Sequence, residues 1–327
     1  MDAPARGRTP SLFLAPMAGV TNTVFRRLCK RLGADVLTTE FVSAEGILHR
    51  NERTRRYLEF HPEERPVGVQ FFGADPARLA EAAKAVIAWV EPDFIDLNFG
   101  CPVNKVVAKN GGAALLKDPP LMANVARSVV AAAGSVPVTA KIRIGWDARS
   151  VNALETARLL EGEGISRIAV HGRTKAQGYT GRADWDVIAA VVQAVNIPVI
   201  GNGDIASAAT AVELFRESGV AGLMIGRAAM CHPWIFREIR AAFAGEPPSA
   251  SVSLEEKWAF ILEHAEREIL WWGGMEEAAI KSMRARLMAY TRGLPGGARL
   301  REKLQHVAAL ADLRSLAAAH LDADEAH

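Results

Sequence analysis

Cys101 stands in the run Asp96-Leu97-Asn98-Phe99-Gly100-Cys101-Pro102, and its neighbours mark it as the residue most able to do chemistry. The apolar-rich segment Phe94 to Leu97 reads as a short buried strand. Gly100 and Pro102 stop it at once and leave the thiol at its tip, facing a cleft. A free thiol has a pKa of about 8.5, so at neutral pH it is mostly protonated and can donate a proton as well as attack as a nucleophile. A lone cysteine is more often a packing residue, and the thiol alone leaves that reading open.

Three further groups point to an anionic, planar ligand. Lys141 lies within the largely apolar stretch Val138 to Ile144, where an ammonium is costly without an anionic partner. That partner is either a ligand or a neighbouring carboxylate such as Asp96. Gln70, at a strand end, can donate and accept along the edge of a heterocycle, or bond a loop. Gly201-Asn202-Gly203-Asp204 and Gly226-Arg227 supply glycines that let backbone N–H groups approach an anion, which favours a phosphate-bearing cofactor. Asp204 can instead cap a helix that starts at Ile205 to Ser207. His171, taken alone, reads as a satisfied structural histidine.

These groups share a position: each follows or ends a short apolar segment. Eight such segments occur, at Leu12 to Ala15, Val36 to Thr39, Val67 to Phe71, Phe94 to Leu97, Val138 to Ile142, Arg167 to Val170, Val199 to Gly201 and Gly222 to Ile225. Helical stretches lie between them, including Pro76 to Val90, Leu121 to Ala133, Asn152 to Glu163, Trp185 to Val195 and Ser207 to Ser218. Repeated strand and helix over this length predict an α/β fold of the TIM (β/α)8 barrel type, whose active sites lie at the C-terminal ends of the strands. A doubly wound sheet is the alternative, but no Gly-x-Gly-x-x-Gly follows the first strand. Near Gly245-Glu246-Pro247-Pro248-Ser249 the character changes. Beyond it the pattern predicts helices at Leu254 to Trp272, Glu276 to Arg292 and Arg299 to Ala319. Residues 1–245 are therefore expected to form the barrel, and 246–327 a C-terminal helical-bundle domain. Ile280, Met283, Leu287 and Tyr290 form an apolar stripe in that bundle.

With 327 residues, half of them hydrophobic, the chain can bury a large core and still carry a smaller domain. No apolar run reaches membrane-span length and the polar stretch Met1 to Thr9 lacks a signal peptide's apolar centre, so a cytoplasmic protein is expected. Cys29, Cys101 and Cys231 are too scattered for a disulfide framework or a metal site, and Cys29 and Cys231 read as packing residues. The net charge of +2 does not announce a nucleic-acid partner, but charge is concentrated locally. Lys281, Arg284, Arg286, Arg292, Arg299, Arg301 and Lys303 face one acid, Glu302, and a second patch gathers Arg50, Arg53, Arg55 and Arg56. Such clusters fit phosphate-backbone contacts.

The span Asn98-x-Gly100-Cys101-Pro102, followed by Val106 and Gly112-Ala113, resembles the signature of the tRNA-dihydrouridine synthases, most closely the bacterial B type. The run His171-Gly-Arg-Thr-Lys-Ala-Gln-Gly-Tyr-Thr-Gly is similar to the same family, and the likeness extends from Leu14-Ala-Pro-Met-Ala-Gly to Tyr290-Thr-Arg-Gly-Leu-Pro-Gly. The resemblance implies an enzyme that reduces uridine in tRNA, with bound FMN and NADPH (or NADH) as reductant and no metal, acting as a monomer. It implies that Cys101 is the proton donor, and that Pro16, Met17, Ala18, Gln70, Lys141, His171, Asn202, Gly203, Asp204, Gly226 and Arg227 contact FMN. Asn98 and Arg173 would meet the substrate nucleotide, with Arg284, Arg286 and Arg292 on the RNA. It further implies hydride addition at C6 of the uracil, protonation at C5 by the thiol, and a uridine flipped out of its stack. Two alternatives stay open: a dihydroorotate-dehydrogenase-like barrel acting on a free pyrimidine, and a non-enzymatic RNA-binding barrel. The tail and its basic cluster speak against the first, since a small free acid requires neither. Cys101, Lys141 and the glycine loops speak against the second.

Overall fold

Eight short strands, β1 (Ser11–Leu14), β2 (Leu37–Thr38), β3 (Val67–Phe72), β4 (Phe94–Phe99), β5 (Val138–Arg143), β6 (Arg167–His171), β7 (Val199–Asn202) and β8 (Gly222–Ile225), pair in parallel in the computed structural model. The structure describes residues 9–50, 52–247, 251–294 and 296–325, with the side chains of 53, 324 and 325 also outside the described set. The N-terminal stretch up to Arg8, linker residues Pro248 and Ser249, and Pro295 of the tail motif lie outside it. Each strand pairs with the next from β2 to β8. β8 pairs with β1, and the bridge Phe13↔Val36 closes β1 onto β2. The result is the TIM barrel that the alternation predicts. Val36 makes that bridge rather than extending β2, which is shorter than the sequence suggested, and Val42–Ser43 adds a small pair beside the end of β3.

The strands read as continuous apolar runs because they are covered twice, by helices outside and by one another across the barrel axis. Leu12, Leu14, Val67, Val69, Ile95, Leu97, Ile142 and Val170 face outward into a core shared with the helices. The opposite parity faces the axis, where Phe13, Ala15, Ala169, Ile200 and Met224 form a separate apolar plug. At the bottom the Arg167 guanidinium lies over the rings of Phe13 and Phe94, at 5.0 and 4.7 Å. Gln70, Asp96, Asn98, Thr139, Lys141, Arg143, His171 and Asn202 continue the same inward parity in register across β3 to β7, and form the polar upper half of the barrel.

Local signals set the helix starts. Asp75 and Asp118 cap helices Pro76–Val90 and Pro119–Ala133, each with proline at the first position, and Asp184 and Ser207 cap Trp185–Ala194 and Ala208–Ser218. Ser207, not Asp204, is therefore the cap of the last of these. Ile235–Ala244 packs on Ala208–Ser218 and stops at Gly245, whose φ of +73° suits glycine.

From 251 onward the described chain is helical: Leu254–Trp271, Glu276–Tyr290, Gly297–Leu304 and Leu310–Glu325. The stripe Ile280, Met283, Leu287 and Tyr290 is buried as its spacing predicts. The third predicted helix is broken. Asp312 accepts the N–H groups of Ala308 and Ala309, and Glu276 accepts that of Leu310, so a new helix starts there instead of the old one continuing. The tail leans on the barrel helix Thr23–Arg31 and on the short helix Arg227–Cys231 after β8. No helix of the described residues is long and apolar enough to cross a membrane, and no cluster among them has the makings of a metal site.

Candidate active site

At the C-terminal ends of the strands the polar inward residues open into a cavity of about 720 Å³, within the usual range of ligand sites. Pro16, Met17 and Ala18 from the β1 loop, Gln70, Asn98 and Cys101, Lys141 and Arg143, His171, and the Asn202 to Asp204 and Gly226-Arg227 turns all line it. The structure thus gathers the residues singled out in sequence, except Arg173, Arg284 and Arg286.

Cys101 is 6% exposed in the cavity wall. Its loop is held from two sides. Asn98 Oδ1 accepts the N–H groups of Gly100 (3.1 Å) and Cys101 (2.8 Å), while Ala113 N–H donates to the Cys101 carbonyl at 3.1 Å. Gly112, at φ +59°, passes so close that a Cβ there would stand 2.9 Å from the Cys101 carbonyl oxygen. Glycine at 112 is therefore required by the close approach to Cys101 in this chain. Burial pushes the thiol up, outweighing the Val103 backbone N–H and the pull of Arg143 and Lys141, so Cys101 holds its proton at neutral pH.

Beneath it runs a chain of side chains whose direction is determined. Asp96 accepts from Thr139 Oγ1 and from Gln70 Nε2, both at 2.5 Å. Gln70 Oε1 then accepts from Asn98 Nδ2 at 2.7 Å, which aims Asn98 Oδ1 at the Cys101 loop. An ionised carboxylate only accepts, so it fixes the orientation of both amides. Asp96 is a positioning residue for Cys101, seen in sequence only as a partner for Lys141. Asn98 lines the cleft; its Oδ1 and one Nδ2 N–H serve this relay, and its second N–H has no acceptor among the described residues. Replacing Asp96 with leucine should release the Gln70 amide, so that Cys101 in the native protein reacts several-fold faster with iodoacetamide (an unsatisfied buried polar group costs about 1–3 kcal/mol). Asp96→Asn, which keeps an acceptor, should stay near wild type. Equal rates for all three proteins would show that the loop is held without the relay.

Lys141 makes no ion pair with Asp96 or with any other described carboxylate and lines the cleft, with Asp96 and Cys101 acting on its charge from beyond ion-pair distance. Burial, then the neighbouring Arg143, pushes the ammonium down to about 8. His171 is driven to about 2 by burial and by Lys141, Arg143, Arg173 and Arg227, so its imidazole is neutral. Arg143 is itself anchored, donating to the carbonyls of Gly100, Thr174 and Gly178. Asp204 is the one carboxylate in the cleft wall among the described residues. It accepts both bonds from Arg173 Nη2 at 2.8 Å, the Ala183 N–H at 2.7 Å and Arg227 Nη2 at 3.2 Å. Gly203 beside it has φ +130°, and a Cβ there would stand 2.5 Å from that of Ala183, so the turn requires glycine. Asn202 donates to the Met224 carbonyl at 2.7 Å and ties this turn to β8.

Two substrate assignments change. Arg173 is buried outside the cleft and holds Asp204 and the carbonyls of Thr180 and Gly181, so it braces the turn rather than meeting a nucleotide. Arg286 is 2% exposed and ion-paired with Glu268 at 3.0 Å, and it donates to the Val20 carbonyl and Asn22 Oδ1. It therefore fastens the tail to the β1 loop and is closed to RNA. Arg284 is half-buried on the same helix. Arg292 is exposed at the cleft mouth, 3.7 Å from the Cys231 sulfur, so Cys231 lines the cleft rather than packing a core as Cys29 does. In the second patch Arg55 lies by Glu59 and Arg56 lies over the Trp272 ring, while the Arg53 side chain is outside the described residues.

A closed parallel barrel with a cation-lined cleft over its strand ends defines a (β/α)8-barrel enzyme. The chain belongs to the dihydrouridine synthase family, whose model, "Dihydrouridine synthase (Dus)", matches residues 13–325. It is 43% identical over 296 residues to "tRNA-dihydrouridine synthase B" of Pseudomonas aeruginosa, covering 90% of this chain and 88% of that one. It is 37% identical over 297 residues to the "Probable tRNA-dihydrouridine synthase" of Aquifex aeolicus, covering 90% and 91%. Among solved structures it resembles "TcOYE with pHBA", with a TM-score of 0.54, 13% identity and coverage of 77% and 94%, a likeness of fold alone.

Proposed function

We propose that the protein is a tRNA-dihydrouridine synthase that reduces the C5=C6 bond of uridine in tRNA in the cytoplasm, with bound FMN and NADPH (or NADH) as reductant. The observation that carries this reading is a protonated thiol in the wall of a cleft that holds Lys141, Arg143, Arg227 and Arg292 against one carboxylate, itself paired.

The donor set fits FMN. Lys141, charged and without an ion pair, suits the polar edge of an anionic ring, the second Nε2 N–H of Gln70 adds a donor to the lining, and Pro16 to Ala18 wall the cleft. The N–H groups of Gly203, Asp204 and Arg227 have no protein acceptor among the described residues and suit a phosphate. His171, neutral, adds no charge there. FMN, when bound, supplies the two electrons that reduce the uracil ring at C6.

The rest falls to this chain. The Cys101 thiol gives its proton to C5 of the enolate, a far stronger base than a thiolate, and its raised pKa restores the proton from solvent afterwards. The Asp96-Gln70-Asn98 relay keeps the thiol in place. We assign residues 246–327 to RNA docking through the exposed cations of the tail, Arg292 first among them, with Arg286 as the fastening.

The test is spectroscopic and chemical. The purified protein should be yellow with non-covalent FMN and should form dihydrouridine in tRNA lacking it, but not reduce free orotate or uracil. A preparation that takes up no flavin overturns the reading.

Lys141 gives this site a pH dependence. Its folded value of about 8 lies below the free value of 10.5, so its charge is lost as pH rises through about 8. FMN affinity should weaken over that range, and Lys141→Met should bind weakly with a flat profile, as followed by flavin fluorescence. The unfolded chain holds the extra proton between about 8 and 10.5, so the cost of burying the ammonium is relieved as pH rises across the same window. Weakening of the cofactor at high pH therefore cannot be put down to loss of fold through this group.

A further inference from the structure

In the closed strand order β5 lies four strands from β1 in either direction, so the loops after β1 and β5 face one another across the barrel mouth. The helical tail stands on the β1 and β8 side, where Arg286 holds the Val20 carbonyl and Arg292 reaches Cys231. On the opposite side, loops far apart in sequence bring cations together. The ammonium groups of Lys117, after β4, and Lys175, after β6, lie over the ring of Trp146, after β5, at 4.7 and 4.6 Å. Neither is ion-paired to a described carboxylate, and Lys105, Arg149 and Arg182 are exposed on the same three loops. The acids on these loops are turned to the backbone: Asp118, Asp147 and Asp184 accept the N–H groups of Leu121, Arg149 and Val187.

Apolar groups are exposed among these cations. Of the five large hydrophobic residues exposed in the described structure, Val103, Val151 and Tyr179 lie on these loops, at 52, 44 and 58% exposure, and Val103 and Tyr179 form part of the cleft wall. A merely solvated lysine face has no use for them. RNA presents phosphates to the cations and ribose and base faces to the apolar groups. A nucleotide flipped into the mouth continues as a strand on both sides of the opening, and the tail serves only one.

We infer that the loops after β4, β5 and β6, centred on Lys117, Trp146 and Lys175, form a second RNA-docking surface across the mouth from the tail. This rests on the reading of the protein as a tRNA-modifying enzyme. The test uses the full-length, flavin-loaded protein and tRNA lacking dihydrouridine, with binding followed by fluorescence anisotropy over a series of salt concentrations. Lys117→Glu combined with Lys175→Glu should weaken binding at least tenfold at low salt and flatten the slope of log affinity against log salt by about two, one for each phosphate that is no longer neutralised. Retained flavin absorbance reports an intact barrel. Lys84→Glu, an exposed change on the outer helix Pro76–Val90, should leave affinity alone, which separates a local effect from loss of net charge. Should the glutamate pair lose its flavin, the corresponding alanine pair should still flatten the slope. Wild-type affinity and slope in the lysine variants, or an equal fall with Lys84→Glu, overturns the docking surface. Failure of the wild-type protein to bind tRNA overturns instead the reading on which it rests.

Discussion

Cys101→Ala should leave reduction of the flavin by NADPH near its normal rate, while reoxidation of the reduced enzyme by tRNA slows by about 10²–10⁴-fold, the usual contribution of a positioned acid. The separation follows from the geometry. Lys141, Gln70 and the two glycine turns line the cleft independently of the thiol, so its loss leaves the cofactor side of the cleft intact. His171 is neutral, held so by burial and by four surrounding cations, so protonating it is too costly for it to serve as the substitute acid. Serine should rescue little, because a hydroxyl is a much weaker acid than a thiol. If Cys101 only packs the loop, alanine should cost about 1 kcal/mol of stability and leave the tRNA-dependent step unchanged. Anaerobic single turnover of pre-reduced Cys101→Ala with unmodified tRNA, followed by flavin absorbance, separates the two. Reoxidation at the wild-type rate would remove the thiol from the mechanism.

Arg286→Ala should have the largest effect on stability, about 3–5 kcal/mol by chemical denaturation, because it leaves the Glu268 carboxylate buried without its countercharge. Glu268 would keep Asn22 Nδ2 at 2.8 and 2.9 Å and Ser282 Oγ at 3.1 Å, but those are neutral donors. His264, 3.9 Å away, is a poor replacement, since burial, the main cause of its lowered pKa, and Arg267 both remain once Arg286 is gone. The damage should reach the cleft, since Arg286 also holds the Val20 carbonyl, and the Val20 and Thr21 N–H groups bond back to the Met17 carbonyl. Replacing Arg286 and Glu268 together with leucine or methionine should cost far less than the single change, since no charge is then stranded. A loss below about 1 kcal/mol for Arg286→Ala would mean that the pair is relaxed by water and that the tail is fastened elsewhere.

The barrel was legible in the sequence because strands covered on both faces must be apolar along their whole length, and because caps such as Asp75-Pro76 and Asp118-Pro119 punctuate the helices between them. The cleft residues were legible for the same reason: a polar side chain at the end of such a strand has one common face to reach. Position alone could not assign their work. Asp96, Gln70 and Asn98 lie on neighbouring strands, and only the register of β3 against β4 makes them a relay. Lys141 had two possible partners in sequence, and it is the capture of Asp96 by Gln70 and Thr139 that leaves the ammonium to the cleft.

Charge was the least legible feature. Arg286 belongs to the densest basic run of the tail, yet its place on the stripe face of its helix turns it inward onto Glu268. Lys117, Trp146 and Lys175 belong to no run at all and meet only where three loops converge. The amino-acid sequence by itself determined the barrel, the cleft and the thiol at its wall, because burial periodicity and backbone-limiting residues act over a few positions at a time. Which cations stay free at the surface, and which brace the protein, was decided by tertiary structure, because a charge takes its role from the partners that packing brings within a few ångströms.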